Sequence, residues 1–445
     1  MTLGGRRPYL RQTHGEVSGL KTIMKQATLR AARAVDDWIH RRTRGNRRRV
    51  LFDGETQMHF SMFETICGAM QEDERLETYA TCCWQGGLKS PDMALRELLG
   101  LRTRFVPYER AKWKKWDLYV SSCFDNAWFA RSLPWVDTFH GVGEKWATSQ
   151  DRLYMVHPLA KRYDRLFCPN ERLVRGYQSH PGFLKTPGSA CLTGMPRSDL
   201  LVWLNNPEVR ASLRTALGVR DAVPLVLFSP TYGADGVLHA FGKSIIEQCL
   251  QANLHVAVKL HSCSYLEDPK FNCGVDWFRE LEPYTRFDTF RHVPHANLTA
   301  LMLAADVIVT DFGSAAVECS LTDRTLFFCG IKSQAERTGG DRVQFNLLCS
   351  AGGPVRNVGE FSDRLKRFLK GDSLNRGEQN TLRDTFFHTP GQATDNCLRI
   401  VYALLDLSYP ATQVQSYVAR KRQQVLQNPL AFLGLGNEPS LDRSP

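Results

Sequence analysis

The sequence predicts an α/β protein built from two doubly wound parallel sheets that face a cleft. Three observations indicate this fold class. The chain has 445 residues, more than one usual core holds, so two domains of ordinary size are expected. Short apolar strand patterns alternate with helical patterns along the body of the chain, as they do in βαβ units. Polar clusters follow several predicted strands, and ligands bind at that edge of such sheets.

Residues 1–48 are predicted to be a basic leader in front of these domains. Residues 1–50 hold 13 Lys or Arg and three acidic residues, so they carry a charge of +10 out of a net +11. The nearly neutral body argues against a nucleic-acid-binding protein. Apolar and basic residues alternate over residues 20–40 as in an amphipathic helix, which favours contact with an anionic membrane surface. A solvated, partly disordered basic arm is the alternative.

The N-terminal domain is predicted over residues 49–195, where strand and helix patterns alternate. The predicted strands are 49–52, 76–83, 118–121, 136–139, 165–168 and 190–193, and the predicted helices are 55–70, 93–101 and 171–178. This order predicts a parallel sheet with helices on both faces.

The C-terminal domain is predicted over residues 196–407. Its predicted strands are 224–228, 254–260, 287–290, 306–310 and 326–329, and its predicted helices are 238–251, 297–305, 361–370, 374–387 and 394–405. A further helix is expected to start after Asn206, because Pro207 suits the first turn of a helix. Residues 408–445 are predicted to be a polar tail. No apolar stretch reaches the 18 residues of a transmembrane helix candidate.

One stretch of the C-terminal half has the pattern of an anion site. A strand pattern over residues 307–309 leads into a turn, and a helical pattern begins at Ser314. Backbone N–H groups and the positive end of the helix dipole favour phosphate at such a junction, and Ser314 adds a hydroxyl donor. Glu318 lies one turn later on the same helix face, where its carboxylate can accept hydrogen bonds from a ribose. The alternative is an ordinary corner in which Asp311 or Ser314 caps the helix.

Other polar clusters lie at predicted strand ends or before a helix, so all of them can converge on one cleft. They are His140-Gly141-x-x-x-Lys145, Ser229-x-Thr231, Lys259-x-His261 and Gly391-x-Ala393-Thr394. Transfer of a phosphate ester to an alcohol needs a base near the alcohol and positive charge near the phosphates. His140 suits the first need, because the ordinary pKa of histidine lies near neutrality. The positive charge can come from Lys145, Arg197, Lys259, His261 and the helix start at Ser314.

An ordered set of motifs between about residues 130 and 405 resembles the CDP-glycerol glycerophosphotransferases, the teichoic-acid primase and polymerase enzymes. The motifs are Phe139-His140-Gly141-x-x-x-Lys145, Thr193-Gly194-x-Pro196-Arg197-x-Asp199, Ser229-Pro230-Thr231, Leu260-His261, Thr310-Asp311-Phe312-Gly313-Ser314 and Gly391-x-Ala393. The resemblance implies a GT-B-like fold, in which 49–195 is the acceptor domain and 196–407 is the nucleotide-donor domain.

The resemblance implies roles only at matched positions. His140 is implied as the general base that deprotonates the acceptor hydroxyl, and His261 is implied to contact the donor diphosphate. The turn that ends at Ser314 is implied to hold that diphosphate, and Glu318 is implied for the ribose side of the nucleotide. The other predicted donor-binding residues are Gly141, Lys145, Arg197, Ser229, Thr231, Lys259, Thr310, Asp311, Gly313, Gly391 and Ala393.

The chain departs from the family pattern at three places, which leave the transferred polyol phosphate open. Gly313 stands where the family has the first serine of a pair, and Phe139 stands for a tryptophan. Gly233 stands where the family has an arginine.

The predicted function is the transfer of glycerol phosphate, or a similar polyol phosphate, from a CDP-activated donor. The acceptor is expected to be a hydroxyl of a membrane-linked glycan or polyol phosphate, at the inner face of the cell membrane. The chain has no Asp-x-Asp triplet, which favours a metal-free site without a cofactor. Its 13 cysteines lack C-x-x-C spacing, as in a cytosolic protein with reduced thiols.

Three other functions remain open from the sequence. The first is a glycosyltransferase for another surface polysaccharide, and the second is a non-hydrolysing nucleotide-sugar epimerase, which shares the GT-B fold and a similar Asp-x-Gly turn. The third is a membrane-surface binding protein with a degenerate cleft. Retention of His140, His261 and Ser314 together argues against that third function.

Overall fold

A computed structural model describes residues 19–54, 57–82, 103–124, 133–143, 155–220, 222–330, 342–372 and 376–435 of the chain. Two sheets with parallel pairing lie at its centre, one in each half of the sequence. This architecture confirms the predicted α/β class with two doubly wound parallel sheets.

The first sheet has seven strands in the order β3-β2-β1-β4-β5-β6-β7. The strands are β1 Arg48–Asp53, β2 Leu76–Thr81, β3 Arg104–Phe105, β4 Leu118–Ser121, β5 Trp135–Asp137, β6 Arg165–Cys168 and β7 Ala190–Leu192. Asp53 at the end of β1 lies opposite Thr81 of β2 and Ser121 of β4, and Ser121 lies opposite Asp137 of β5. Four strand ends therefore meet in one line at the carboxyl edge, and the strand order reverses between β1 and β4.

The second sheet has five strands in the order β10-β9-β8-β11-β12. The strands are β8 Leu225–Phe228, β9 His255–Val258, β10 Phe290–His292, β11 Val307–Thr310 and β12 Thr325–Phe328. β8, β9 and β11 are completely buried, as expected for apolar strands with helices on both faces. The order reverses between β8 and β11, so the segments after these two strands border the crevice where open α/β sheets bind ligands.

Seventeen α-helices accompany the sheets in the described residues. They are α1 Gly19–Arg44, α2 Gln57–Met70, α3 Tyr108–Ala111, α4 Glu171–Gln178, α5 Asp199–Trp203, α6 Pro207–Ala216, α7 Lys243–Gln251, α8 Pro269–Asn272, α9 Trp277–Leu281, α10 Leu298–Ala304, α11 Ser314–Glu318, α12 Arg342–Gly352, α13 Val358–Leu369, α14 Arg376–Phe386, α15 Ala393–Leu404, α16 Gln413–Gln427 and α17 Pro429–Leu433. Asparagine side chains cap several of them. Asn206 accepts from the backbone N–H of Val209 and Pro207 opens α6, as the sequence predicted.

The polar tail predicted from residue 408 is wrong over residues 413–433, which form α16 and α17. Tyr417 of α16 is buried against Gly68 of α2, where a Cβ atom would approach the tyrosine ring to 2.3 Å. Lys421 of α16 pairs with the buried Glu64 of α2 at 2.5 Å. The sequence hides this packing, because few apolar residues of α16 are buried and polar ones surround them. Residues 436–445 lie outside the described residues.

Other differences from the prediction are local. The helix predicted from residue 238 begins with a distorted turn, Leu238–Gly242, in which Phe241 leaves helical geometry at φ −158° and ψ 25°. The strand predicted at 287–290 starts later, at Phe290. The helix predicted over 93–101 lies outside the described residues.

Within the predicted leader, Gly19–Arg44 form α1, and the polar face of this helix contacts the first half. The carboxylate of Asp36 pairs with Arg49 at 2.6 Å and accepts from the backbone N–H of Lys115 at 2.9 Å. His40 lies 3.2 Å from Glu77. Residues 1–18 lie outside the described part of the chain. A search of the described helices finds none that combines the length and apolar character needed to cross a membrane.

Candidate functional site

The loop after β5 presents His140, the predicted base. Asp137 at the end of β5 accepts from the backbone N–H of Phe139 at 2.8 Å and from the hydroxyl of Ser121 at 2.6 Å. Phe139 has φ +56°, in the left-handed region that bulky residues rarely adopt. Its ring is 2% exposed and packs on Phe124 at 5.6 Å. The hydrogen bond and the ring packing hold the strained backbone that positions His140.

A backbone carbonyl fixes the tautomer of His140. Its Nδ1 lies 3.0 Å from the carbonyl oxygen of Ser122, which follows β4. A carbonyl oxygen only accepts hydrogen bonds, so Nδ1 carries the proton in this contact. The neutral ring then holds its lone pair on Nε2, where a general base needs it.

A second histidine, His59, lies beside His140 and was not predicted as a site residue. It is in the first turn of α2, is 6% exposed, and its ring centroid lies 5.6 Å from that of His140. Burial, and then the charge of His140, lower the pKa of His59 to about 3, so this ring stays neutral near neutral pH. The rule that polar residues after strands form the site would have found it, because His59 follows β1 closely.

His261, which follows β9, has the opposite tautomer. Its Nδ1 accepts a hydrogen bond from the backbone N–H of Cys263 at 3.1 Å. The proton of the neutral ring therefore sits on Nε2, which acts as a donor. The ring of Tyr232, which was not predicted as a site residue, lies 4.6 Å from that of His261.

Arg197, Lys259 and Glu318 form a charged cluster near the second sheet. Arg197 Nη1 lies 3.8 Å from Glu318 Oε1, and the two side chains are 13% and 5% exposed. Lys259 Nζ donates to the carbonyl oxygen of Pro294 at 2.8 Å. Burial, and then the positive charge of Arg197, lower the pKa of Lys259 to about 8. Two cations held close together in a partly dry place suit an anionic group.

The predicted phosphate turn at Gly313 and Ser314 has an open surface. Gly313 occupies the N-cap position of α11, and neither Asp311 nor Ser314 caps this helix, so the simple-corner alternative is not observed. A Cβ atom on Gly313 would meet no described atom within 4 Å. Ser314 is exposed. The turn therefore has room for a ligand near its first backbone N–H groups.

Asp311 and Thr310 hold the loop after β8. The carboxylate of Asp311 accepts from the backbone N–H of Thr231 at 2.7 Å and from that of Val237 at 2.9 Å. The hydroxyl of Thr310 donates to the carbonyl oxygen of Ser229 at 2.6 Å. Both side chains are almost completely buried, so these contacts with the protein give them a role in shaping the crevice.

The Gly391-x-Ala393 motif contacts Asp199. The buried Asp199 carboxylate accepts from the backbone N–H groups of Gly391 at 2.7 Å, Ala393 at 3.3 Å and Thr394 at 2.7 Å. Burial raises the pKa of Asp199 to about 7, and these N–H groups oppose the rise. The motif thus joins the start of α15 to α5, and its N–H groups point at a protein carboxylate.

The remaining predicted residues lie near these groups or outside the described part. Gly141 follows His140, and a Cβ atom there would lie 3.8 Å from the carbonyl oxygen of Gly143. Ser229 and Thr231 are buried directly after β8. Lys145 lies outside the described residues.

Three comparisons with known proteins bear on this site. The sequence model of a family described as CDP-glycerol:poly(glycerophosphate) glycerophosphotransferase matches residues 141–403. The teichoic acid poly(glycerol phosphate) polymerase of Bacillus spizizenii is 24% identical over 211 residues, which are 44% of this chain and 52% of the relative. The chain thus spans about half the length of the curated relative it matches.

Solved structures share the fold at low identity. The similarity to one structure of the wall teichoic acid polymerase TagF extends over 87% of this chain and 96% of the TagF chain, with TM-score 0.60 and 16% identity. The similarity to a TagF variant soaked with CDPG extends over 90% of this chain and 96% of the variant's chain, with TM-score 0.59 and 15% identity. The similarity to the UDP-GlcNAc 2-epimerase of Neisseria meningitidis, bound to UDP-GlcNAc, extends over 80% of this chain and 100% of the epimerase chain, with TM-score 0.52 and 13% identity. These similarities establish a GT-B-like fold.

Proposed function

Because this chain belongs to the CDP-glycerol:poly(glycerophosphate) glycerophosphotransferase family, we propose that it transfers glycerol phosphate, or a similar polyol phosphate, from a CDP-activated donor to an acceptor hydroxyl. Membership confirms the resemblance read from the motifs. The observation that carries the proposal is the pair of opposite tautomers. His140 keeps a lone pair on Nε2, and His261 keeps a proton on Nε2.

The tautomer of His140 supports a role as general base. The acceptor oxygen attacks the phosphorus that carries the polyol, and the acceptor proton passes to Nε2 of His140. The P–O bond of the phosphoanhydride that joins the two phosphates breaks, and CMP leaves with the bonding electrons. As the ring takes the proton, its Nδ1–H bond to the Ser122 carbonyl strengthens, because a cationic donor makes a stronger hydrogen bond.

The two cations of the charged cluster, Arg197 and Lys259, support binding of the donor diphosphate. Nε2–H of His261, the charge of Lys259 and the guanidinium of Arg197 are the donors that we assign to the phosphate oxygens. Negative charge grows on the leaving phosphate as the bond breaks, so fixed positive groups lower the barrier as well as bind. Glu318, which contacts Arg197 at 3.8 Å, is assigned to the ribose side.

Calorimetric titration tests the donor assignment. The full chain is titrated with CDP-glycerol, CDP-ribitol, CMP and UDP-N-acetylglucosamine. We expect a CDP-polyol to bind and the His261→Ala variant to lose roughly tenfold or more in affinity, since a hydrogen bond to a charged phosphate is removed. His180, whose Nδ1 contacts the carbonyl oxygen of Gly176 in α4, provides a matched control as His180→Ala. Preference for the UDP-sugar would move the proposal to the epimerase or glycosyltransferase function.

We further propose that α1 rests on an anionic membrane surface, which would bring the cleft to a membrane-linked acceptor. The exposed apolar side chains of α1 are Met24, Val35, Trp38 and Ile39, with exposures of 49% to 63%. At 3.6 residues per turn they lie within about 100° of the helix circumference. The opposite face is occupied by the contacts of Asp36 and His40 with the protein. The apolar stripe therefore has no counterpart in the described core.

Exposed arginines accompany this stripe and supply the charge that anionic lipids attract. Arg30 and Arg41 are exposed on the flank of α1 between the stripe and the face that contacts the protein. The guanidinium of Arg42 lies 4.6 Å from the ring centre of Trp38, within the stripe itself. Apolar side chains flanked by arginines are the combination that binds an anionic membrane surface.

Vesicle pelleting with phosphatidylglycerol and with phosphatidylcholine vesicles checks this proposal. We expect binding to the anionic vesicles only, and its loss in the variant Trp38→Ser/Val35→Ser. The control is Leu369→Ser, at another exposed apolar residue. Equal pelleting of the double variant and the wild type would remove the assignment.

A further inference from the structure

We propose that the amino edge of the second sheet is a second anion site, which binds a flexible chain of phosphodiesters. This edge lies at the opposite end of the strands from the donor crevice. The identity of the ligand rests on the proposed function, because repeated transfer of a polyol phosphate builds such a chain. We call the five residues that form the site the arginine edge, and they are Arg210, Arg214, Arg220, Arg291 and Arg324.

The first support is the position of these residues at the starts of the strands. His255 opens β9, in register with the first residue of β8. Asp306 directly precedes β11 and Arg324 directly precedes β12, and the first residues of these two strands lie opposite each other. Arg291 lies in β10, and its Nη1 donates back to the carbonyl oxygen of Asp288 at 2.8 Å. Since neighbouring strands are about 4.8 Å apart, the edge extends over about 19 Å.

The second support is a carboxylate that faces three guanidinium groups. Asp306 pairs with Arg210, and it pairs with Arg214 at 2.7 Å. Burial, and then the charge of Arg210, lower the pKa of Arg324, so this third guanidinium lies beside the ion pairs. Nε of Arg210 and Nε of Arg324 have no hydrogen-bond partner among the described residues. Asp306 therefore neutralises one of three positive charges, and N–H donors remain unused.

The third support is positive charge without a carboxylate at the starts of β9 and β10. Neither Arg220 nor Arg291 forms an ion pair with any residue of the described part of the chain, and Arg220 is exposed. Nε2 of His255 accepts from the backbone N–H of Arg220 at 3.1 Å. Burial, and then the charges of Arg220, Arg291 and Arg214, lower the pKa of His255. Three arginines thus surround a histidine that burial and their charges keep neutral.

The acidic residues near the arginine edge do not neutralise it. Asp288 and Asp323 are exposed, so water screens their charges. Glu208 of α6 is already paired with Arg422 of α16 at 2.7 Å. Five arginines against the three aspartates named here leave a net positive charge.

The length of the arginine edge indicates an extended ligand with several phosphates. Guanidinium groups bind phosphate oxygens through charge-assisted hydrogen bonds. A single phosphate covers about one strand spacing of roughly 5 Å, whereas the arginines extend over all five strands. The side chains of Arg214 and Arg210 are recessed, with 8% and 31% exposed. A flexible chain therefore reaches this edge more readily than the headgroups of a flat bilayer do.

Oligomers of two lengths test whether the ligand is an extended chain. Fluorescence anisotropy follows a dye-labelled hexamer and a dye-labelled dimer of glycerol phosphate, each added to the full chain without a donor. We expect the hexamer to bind about tenfold more tightly or better, because more of its phosphates meet guanidinium groups. Its affinity should fall as NaCl is raised from about 0.05 M to about 0.5 M, since salt screens the charges. Equal affinities for the two oligomers would contradict the proposal.

Two kinds of variant distinguish the arginine edge from the donor crevice. Arg220→Gln/Arg291→Gln removes two charges without ion-pair partners, so we expect about a tenfold or greater loss of hexamer affinity and an unchanged Kd for CDP-glycerol. Lys259→Met should do the reverse, because Lys259 belongs to the donor crevice. The matched control is Arg175→Gln/Arg367→Gln, at arginines of α4 and α13 whose side chains are 73% and 70% exposed. It should leave both affinities unchanged.

The outcomes separate this site from the transfer reaction. Hexamer affinity of Arg220→Gln/Arg291→Gln equal to that of the wild type would overturn the proposal, even if transfer occurs. Loss of vesicle pelleting without loss of hexamer binding in that variant would assign the edge to a lipid surface instead. If the double variant melts at a lower temperature, the single variant Arg220→Gln, at an exposed side chain, should still lose roughly threefold in hexamer affinity. Hexamer binding that depends on these arginines, without any CMP release from CDP-polyols, would reject the transferase function and keep the site.

Discussion

The carboxyl edges of the two sheets differ in charge. The edge of the first sheet carries His140, the neutral His59 and the carboxyl groups of Asp53 and Asp137, whereas the second half gathers Arg197 and Lys259. An alcohol becomes a nucleophile when a base removes its proton, and nearby cations would hinder that base from accepting it. A diphosphate needs the cations. The two environments follow strands of two different sheets.

The largest expected effect is on kcat, and it distinguishes the role of His140 from that of His261. His140→Gln should lower kcat by about 10²- to 10⁴-fold, because proton transfer by a positioned base contributes about that much. Its Kd for CDP-glycerol should stay within about twofold. His261→Gln should act mainly on donor binding. Steady-state CMP release and calorimetry on both variants check this, and a His140→Gln enzyme with wild-type kcat would remove His140 as the base.

Lys259 should make the affinity for the donor depend on pH. Its pKa is lowered to about 8, so the free protein loses this positive charge as the pH rises through that value. We expect the affinity for CDP-glycerol to fall between pH 7 and pH 9.5 by roughly 10- to 30-fold, because one proton with a pKa of about 8 limits the change over this range. Calorimetry across this range measures it. Lys259→Arg should remove the dependence, since arginine stays protonated, and Lys259→Met should bind weakly at every pH.

His59, at the edge of the first sheet, should instead make the stability of the folded protein depend on pH. Its pKa is about 3 in the folded protein and near 6.5 in the unfolded chain, so unfolding takes up a proton between these values. The free energy of unfolding therefore falls as the pH is lowered through 6.5. The contribution of His59 is about 1.4 kcal/mol between pH 7.5 and pH 5.5.

Urea unfolding at the two pH values checks this contribution by comparing the wild type with His59→Gln. Glutamine does not titrate, so the variant should lose about that much less stability on acidification. Identical pH dependences of the two proteins would show that His59 is not buried as a neutral ring. His180→Gln, at a histidine of the first half with partial exposure, controls for the loss of a titrating group.

The sequence predicts the strands and their polar ends well, because local apolar runs and turn residues determine them. It therefore predicts His140, His261 and the turn at Ser314 as neighbours of strand ends. It does not predict the tautomers, which depend on a carbonyl oxygen of Ser122 and an N–H of Cys263. Such contacts follow from backbone geometry, which residue types alone do not encode.

Long-range partners explain the other differences. Asp199 accepts N–H groups almost 200 residues away in the chain, so Gly391 and Ala393 resemble a ligand motif although a carboxylate of the protein holds them. In the same way, α16 is a polar sequence whose partners on α2 precede it by about 350 residues. Neither pairing leaves a signal in one sequence.

The smallest expected effect is that of Gly313→Ser, which tests whether the turn before α11 binds the donor diphosphate. The backbone there is extended, with φ −164°, and a Cβ atom meets no described atom within 4 Å, so serine should leave the melting temperature unchanged. If the turn holds a phosphate, the added hydroxyl should tighten CDP-glycerol binding by roughly 0.5–1.5 kcal/mol in calorimetry.

Gly391→Ser is the matched control for that substitution. Gly391 has φ +86°, and its Cβ atom would lie 3.1 Å from Cγ1 of Val202, so serine should cost about 1–2 kcal/mol of stability. Because its N–H donates to Asp199, this variant should alter stability more than donor affinity. Tighter binding in Gly313→Ser alone would place the diphosphate at the turn before α11. Unchanged affinity in Gly313→Ser would instead leave Arg197, Lys259 and His261 as the donor site without that turn.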